Sequence, residues 1–551
     1  MSGRAEASSD EPSRAAAGCP RSLAALVFAS VALVYLSLSP GVIAHMGYAG
    51  EEMRTGNLLL ARWGVGSRAE MESPRPAEPS LPGRPSRRSD WSRHGALPVV
   101  LDLPFLAVGR VLEPRAGITQ EQVLSVAPVL WTSGMIALLF VWLCRITQHA
   151  LWSYTLSLIA AFCTLLWPYA YIGLEPKQSL CVVAAGYLAL ATEGRATYPR
   201  SLVLGLACAG AISLKASGTY LIPAIAFLIG VYTLRQRHAS DPSWPWHMLL
   251  VVALPVVVYA GNAVTRSWFW DPRGGTVAFV SKWLVDGPVA FLFNLFAQLA
   301  SPTKGLIVYS PVCLLALLAL RHAWHRDRVL VTFCALVLGG TGVGFAMLRA
   351  WSDETWGSRY LHITVVPLIL CLGLTVRTFR PAHKVALATT AVLGLWIAAL
   401  GSFCYYGTLH GVANATEQGT LEAFQSDLVW NHVAFNARLF NIWWSGSPGP
   451  VMWTPRHQWW STRPPDAPEW KSFDLRLVAQ PQSILLREWG HPKAGSALVV
   501  WTGYLLCLIA GLGLLAYTGV RAARHGRGGT PPAPSGSASR GSSRRFAPGA
   551  V

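Results

Sequence analysis

The sequence predicts an all-α polytopic membrane protein of about twelve transmembrane helices, with amphipathic helices and long loops on the extracytoplasmic side. Three observations predict it. The 551 residues are 52% hydrophobic and only 13% charged, whereas soluble domains carry about a quarter charged residues. Apolar runs of roughly 16 to 24 residues recur along nearly the whole chain, each enough to cross a hydrocarbon core about 30 Å thick. The net charge of +18 is concentrated in short loops between these runs and in the C-terminal tail, where orientation signals sit. No basic face is interleaved with aromatics, which argues against a nucleic-acid partner.

Taken in order, residues 1–22 are rich in Ala, Ser and Arg and predict a disordered cytoplasmic N-terminus. The run 23–43 is long for a signal-peptide core and fits an uncleaved anchor. Further runs fall at 122–143, 150–167, 177–192, 201–216, 218–234, 247–265, 305–320, 329–348, 360–376 and 384–404, with the last at 496–519. With the N-terminus inside, the inner loops carry Arg145; Arg195 and Arg200; Arg235 and Arg237; Arg321, Arg326 and Arg328; then Arg377, Arg380 and Lys384. Only Glu193, Asp241 and Asp327 oppose them. The short outer loops mix Lys177, Lys215, Arg349 and Arg359 with Glu175, Asp353 and Glu354. This asymmetry predicts a multi-pass plasma-membrane protein with both termini cytoplasmic.

A core of residues 23–404 then carries two of three long outer segments. The first, 44–121, begins with the acidic pair Glu51-Glu52, continues through a stretch rich in Pro, Ser and Arg at 67–93, and ends in an amphipathic region, His94 to Leu112. Asp102, Pro98 and Pro104 suit that region to a helix on the membrane surface. The second, 266–304, holds another candidate surface helix, Val289 to Leu299. The third, 405–495, is a Trp-rich extracytoplasmic segment, and interfacial preference is the favoured reading of its tryptophans over sugar stacking. Within it Asn414-Ala415-Thr416 matches a short glycosylation sequon. Residues 520–551 form a basic tail, expected to be disordered near anionic lipid. The ten cysteines lie in or beside apolar runs without CxxC spacing, so they read as small packing residues and not as ligands or disulfides.

Few residues carry chemistry. Glu51 and Glu52 are adjacent carboxylates at a span end, where charge is expensive. Mutual repulsion and shielding from water raise such a group's pKa and suit it to take a proton from a hydroxyl. The plain alternative is a solvated start of a loop beside Arg54. Glu175 lies in an outer turn, and its plain reading is a surface contact with Lys177 worth at most about 1 kcal/mol. Lys304 at an outer span end offers a point charge to a phosphate, or simply anchors the span by snorkelling. Arg359 offers paired hydrogen bonds to a phosphate, with Trp351 and Trp356 nearby as candidate interfacial aromatics. No Gly-rich phosphate loop, zinc motif or nucleotide fingerprint is present.

Several of these stretches, in this order, resemble bacterial membrane glycosyltransferases of the C superfamily, the group containing protein mannosyltransferases and lipid A aminoarabinose transferases. Gly50-Glu51-Glu52 stands where that family carries Gly-Asp-Glu. Ser92 to Pro98 echoes a His-Pro-type run leading into an amphipathic helix. Glu175-Pro176, Gly305 to Pro311, Trp356 to Tyr360 and Asn441 to Trp444 match four further motifs, so the likeness spans roughly residues 20–450. It departs in having glutamate at 51, lysine at 215 and a Pro/Arg-rich middle to the first outer loop. The resemblance implies inverting transfer of a sugar from a polyprenyl-phosphate donor to a glycan, lipid or protein acceptor. The catalytic set it implies is Glu51 or Glu52 as general base, with Glu175; the substrate-binding set is Lys304, Arg359, His94 and Tyr309. Some members of that family need no metal, and neither a metal nor a cofactor is expected here; membrane lipid is the expected surrounding partner. The rival readings are a twelve-span transporter or lipid flippase, which predicts mid-membrane ionisable residues and paired half-repeats, and a non-catalytic relative.

Overall fold

The computed structural model describes residues 21–41, 46–62, 94–192, 196–238, 243–269, 285, 287–348, 356–403, 432–445, 451–453, 472–474, 482–487 and 495–527. Each of the twelve apolar runs falls at least in part on helix, those at 150–167 and 305–320 being interrupted at Cys163–Leu165 and at Ser310–Pro311. In chain order these and the intervening helices are α1 (Arg21–Ser37), α2 (Met46–Arg62), α3 (Ala96–Ala116), α4 (Gln120–Leu124), α5 (Val126–Thr147), α6 (Ala150–Phe162), α7 (Leu166–Tyr169), α8 (Glu175–Gly186), α9 (Tyr198–Ser213), α10 (Ile222–His238) and α11 (Trp244–Phe269). The chain continues with α12 (Gly287–Ala300), α13 (Leu306–Tyr309), α14 (Val312–Arg326), α15 (Arg328–Ala346), α16 (Val365–Thr375), α17 (Pro381–Phe403), α18 (His432–Ser445), α19 (Ile484–Arg487) and α20 (Gly495–Arg527).

Seven helical stretches are long and apolar enough to cross a membrane: Gln120–Thr147, Ala216–Arg237, Trp244–Arg266, Arg328–Ala346, Arg359–Thr378, Pro381–Phe403 and Leu498–His525. Arg21–Ser37, Ala150–Phe162 and Gly287–Ala300 are apolar but shorter. The two regions expected as amphipathic helices are indeed helical, as α3 and α12. The described residues are otherwise overwhelmingly helical, with one short ribbon in the Trp-rich segment, where Val451–Trp453 and Ser472–Asp474 pair antiparallel, Met452 opposite Phe473. Most of that segment's tryptophans, and Asn414, lie outside the described residues. Trp444 is exposed and stacks on Phe440 of the preceding turn.

The core is a continuous apolar cluster shared by α1, α5, α6, α8, α9 and α14 to α16. Glycines set its closest approaches. At Gly344 a Cβ would meet the Tyr220 ring at 2.3 Å, and at Gly340 it would meet the Tyr220 carbonyl oxygen at 2.3 Å. This pair, one helical turn apart on α15, lets the turn before α10 lie directly on the helix, as small-xxx-small pairs do. α1 packs along α20. Gly511 faces Val34 while Gly41 faces Tyr504, so the two helices run antiparallel. All eight described cysteines are free thiols, and Cys334 donates to the Pro367 carbonyl at 3.2 Å.

α8 organises everything that follows. It starts at Glu175, passes Gly186, where a Cβ would crowd Trp142 and Phe333, and ends in a π-helical turn, Tyr187–Ala191. Three arginines converge on that C-terminal end. Arg200 donates to the carbonyls of Leu188 at 3.0 Å and Thr192 at 2.9 Å. Arg235 donates to those of Ala189 at 3.0 Å and Leu190 at 2.8 Å, and Arg145 donates to that of Ala191. These are the carbonyls that a helix end leaves without intrahelical partners. Arginine is well suited there, because its charge also complements the negative end of the helix dipole. The remaining charged cluster lies at the opposite end.

Candidate active site

The N-terminal end of α8 collects charges from four parts of the chain. Pro176, in the first turn, is pre-organised for a helix start, and a carboxylate at Glu175 matches the positive pole of the helix. Glu175 is buried and its Oε1 accepts from Lys215 Nζ at 2.7 Å and from Arg359 Nε. Lys215 comes from the end of α9, and Arg359 from the first residue of the 3-10 helix Arg359–Thr364. One carboxylate therefore faces two cations, an excess of positive charge.

Two residues further along, Lys177 points elsewhere. Its Nζ is 2.5 Å from Asp102 Oδ2 of α3 and 3.9 Å from Glu52 Oε2 of α2. Lys177, Asp102 and Glu52 are each about 1% exposed. Here the excess is negative, two carboxylates for one cation. Burial is the main reason that the Glu52 carboxyl is pushed up to about 8; the positive charge of Lys177 opposes the rise, while Asp102 and Glu175 add to it. Gly173 lies close enough that a Cβ there would sit 3.7 Å from Glu52 Oε2.

A small cleft of about 20 Å³, open on one side, adjoins the first of these clusters. Its charged wall is Glu175, Lys215 and Arg359, and its neutral polar wall includes Gln178, Ser179 and His362. Ser179 Oγ and His362 Nδ1 are 3.0 Å apart, leaving His362 Nε2 without a hydrogen-bond partner among the described residues. Tyr360 closes one side by stacking on Phe345, ring centroids 3.9 Å apart. Glu175 Oε2, Glu52 Oε1 and Asp102 Oδ1 are likewise buried without a partner among the described residues. Such atoms cost about 1–3 kcal/mol each and suit a site built to receive a polar ligand.

The residues expected from sequence fall into three groups. Glu175 and Arg359 meet directly, and Glu52 joins them through Lys177. Glu51 lies in the first turns of α2, and its side chain is outside the described residues. Lys304, Tyr309 and His94 stand apart from the cavity lining. Lys304 is buried, with its backbone N–H on Ser301 Oγ at 3.1 Å. Tyr309 is buried and donates to the Thr303 carbonyl at 2.8 Å. The His94 carbonyl accepts from Asn262 Nδ2 at 2.9 Å, fastening the entry of α3 to α11. The expected surface contact between Glu175 and Lys177 is corrected: both are buried, and each pairs with other residues. Trp356 is fully buried against Tyr309, centroids 5.1 Å apart, instead of interfacial. Trp351 is outside the described residues.

Asp102, Lys177, Lys215 and His362 were not singled out as site residues by sequence. The signal that could have found the first two is charge in otherwise apolar helices, since an unpaired ion there is too costly to leave. Among the described residues no group of three His, Cys, Asp or Glu side chains is placed to hold a metal ion. The chain matches no protein-family model and no curated protein.

Proposed function

We propose that the protein is a membrane glycosyltransferase that moves a sugar from a polyprenyl-phosphate donor to an acceptor on the extracytoplasmic face, with inversion and with a first-loop carboxylate as general base. One observation carries the reading. Three stretches that resemble glycosyltransferase motifs, around positions 52, 175 and 359, are brought together at one end of the helical body, beside a cavity with excess positive charge. In this reading the donor phosphate binds near Arg359 and Lys215. An ionised Glu52 or Glu51 takes the proton of the acceptor hydroxyl as it attacks the anomeric carbon. The electron pair of the breaking bond leaves with the lipid phosphate, which cationic side chains stabilise.

The same reading takes the twelve helical runs as twelve spans in the plasma membrane with both termini cytoplasmic. It is supported by the two ends of α8. Arg145, Arg200 and Arg235 gather at one end, as positive-inside orientation requires, and the candidate catalytic groups gather at the other. The antiparallel pairing of α1 and α20 is consistent with termini on one side. The deciding experiment assays transfer from a polyprenyl-phosphate sugar in membranes with wild type and the Glu51→Gln/Glu52→Gln double variant. Loss of product in the variant is expected, and full turnover would remove the base assignment.

A further inference from the structure

Glu52 and Asp102 compete for one lysine, on unequal terms. Lys177 Nζ is 2.5 Å from Asp102 and 3.9 Å from Glu52, and all three side chains are almost completely buried. A single ammonium group neutralises a single carboxylate. Two ionised carboxylates beside each other in a dry site are relieved when one of them keeps a proton. The closer contact assigns the ionised form to Asp102, leaving the proton on Glu52. Among the described residues no other donor reaches Glu52 Oε1 or Asp102 Oδ1, and the two carboxyl groups lie close enough to share a proton. The charged groups acting on Glu52 are Lys177 and Glu175 of α8 and Asp102 of α3. Lys215 and Arg359 are engaged with Glu175 instead.

We propose that Asp102 is a positioning residue that, by engaging Lys177 and adding its own negative charge, keeps Glu52 protonated at rest and thereby sets the pH at which the first-loop base becomes available. The inference rests on the glycosyltransferase reading for its kinetic form, but the proton-sharing triad exists independently of the reaction. At rest the triad is neutral: Asp102 carboxylate, Lys177 ammonium, Glu52 carboxylic acid. Release of the Glu52 proton to solvent creates the base. During transfer that carboxylate takes the acceptor's hydroxyl proton while the new bond to the anomeric carbon forms and the bond to the phosphate oxygen breaks. Glu52 thus ends each turnover protonated, as it began.

The test is the pH dependence of sugar transfer in wild type, Asp102→Asn and Asp102→Glu. In wild type the acidic limb is expected near the pH at which Glu52 titrates, about 8. Asp102→Asn frees Lys177 to serve Glu52 alone, so the limb is expected to move down by about one pH unit or more. Asp102→Glu restores a second carboxylate and moves it back. An Asp102 that served structure only would lower turnover without moving the limb, so an unmoved or upward limb in Asp102→Asn overturns the proposal. Infrared spectroscopy of the purified full-length protein at neutral pH gives a readout that needs no turnover. A protonated-carboxyl band is expected in wild type and lost in both Glu52→Gln and Asp102→Asn. A wild-type spectrum with no band removable by Glu52→Gln overturns the triad. The band without any transfer activity would uphold the triad and sink the glycosyltransferase reading alone.

Discussion

The two ends of α8 meet charge in opposite ways. At its C-terminal end three arginines donate to the terminal carbonyls, with Arg145 and Arg235 exposed to solvent. Each guanidinium finds a carbonyl partner, and those of Arg145 and Arg235 keep contact with water, so the arrangement is inexpensive and redundant. At the N-terminal end six charged groups, Glu52, Asp102, Glu175, Lys177, Lys215 and Arg359, are buried. Three carboxylate oxygens there lack partners among the described residues. Buried ion pairs are weak sources of stability, since the loss of hydration offsets the attraction. The comparison teaches that one end ties down the helix with inexpensive contacts, while the other keeps charge in a costly state.

The largest effect should come from breaking the costly end. Glu175→Ala leaves Lys215 and Arg359 buried beside each other with no shared carboxylate, and should destabilise the protein by about 3–5 kcal/mol. Denaturant titration of the detergent-solubilised protein would measure it. A loss no greater than that of an arginine variant at the far end would erase the distinction. Glu175→Gln preserves shape, and under the proposed glycosyltransferase function should still reduce transfer from a polyprenyl-phosphate sugar by about two orders of magnitude.

The Glu52 carboxyl provides a second contrast, visible in stability against pH. Its folded-state pKa is raised from 4.5 to about 8, so between those values the folded protein holds a proton that the unfolded chain has released. Its contribution is therefore fully present below the lower value and is lost as pH rises through the upper one. Glu52→Gln should flatten this part of the stability profile, most visibly by surviving better than wild type above that range. An unchanged slope in thermal melts across these pH values would contradict the raised pKa.

Between the ends, α15 contributes Thr341 and Phe345 to the cavity wall, with Gly344 pressed on Tyr220. Gly344→Leu should cost about 1–3 kcal/mol through overpacking and also lower transfer by displacing that wall. The smallest effect belongs to the capped end. Arg145→Ala and Arg235→Ala should each cost about 0.3–1 kcal/mol and leave the pH dependence of transfer unchanged. A shift in that pH dependence would show that the two ends are coupled.

Much of the fold was legible because hydrocarbon imposes a length and a composition on every crossing segment. All twelve apolar runs fall at least in part on helix, seven of them in stretches long and apolar enough to cross a membrane, and three of the arginines chosen as orientation markers, Arg145, Arg200 and Arg235, meet at one end of α8. The resemblance singled out Glu175 and Arg359, which proved to be partners. What stayed hidden was pairing across long separations. Glu175 and Lys177 look like neighbours on paper, but residues two apart on a helix do not face each other. One turns toward α9 and the residue at 359, the other toward α2 and α3. Asp102 was hidden for a related reason. A polar residue in an amphipathic pattern is assigned to water by default, and only the packing of α2, α3 and α8 reveals that this one points inward.

The pairing of α1 with α20 bears on synthesis. Leu33 and Val34 of α1 meet Gly511 of α20, the last of the described helices to be made, and the two helices pack along each other. A ribosome releasing this chain into the bilayer therefore exposes that face of its first helix to lipid, or to an insertion factor, until the 495–527 segment arrives. Premature termination anywhere before that point would leave the opening helix without its neighbour. The quality-control machinery of the membrane would then have an early, unpaired helix to recognise, however well the middle of the chain had folded.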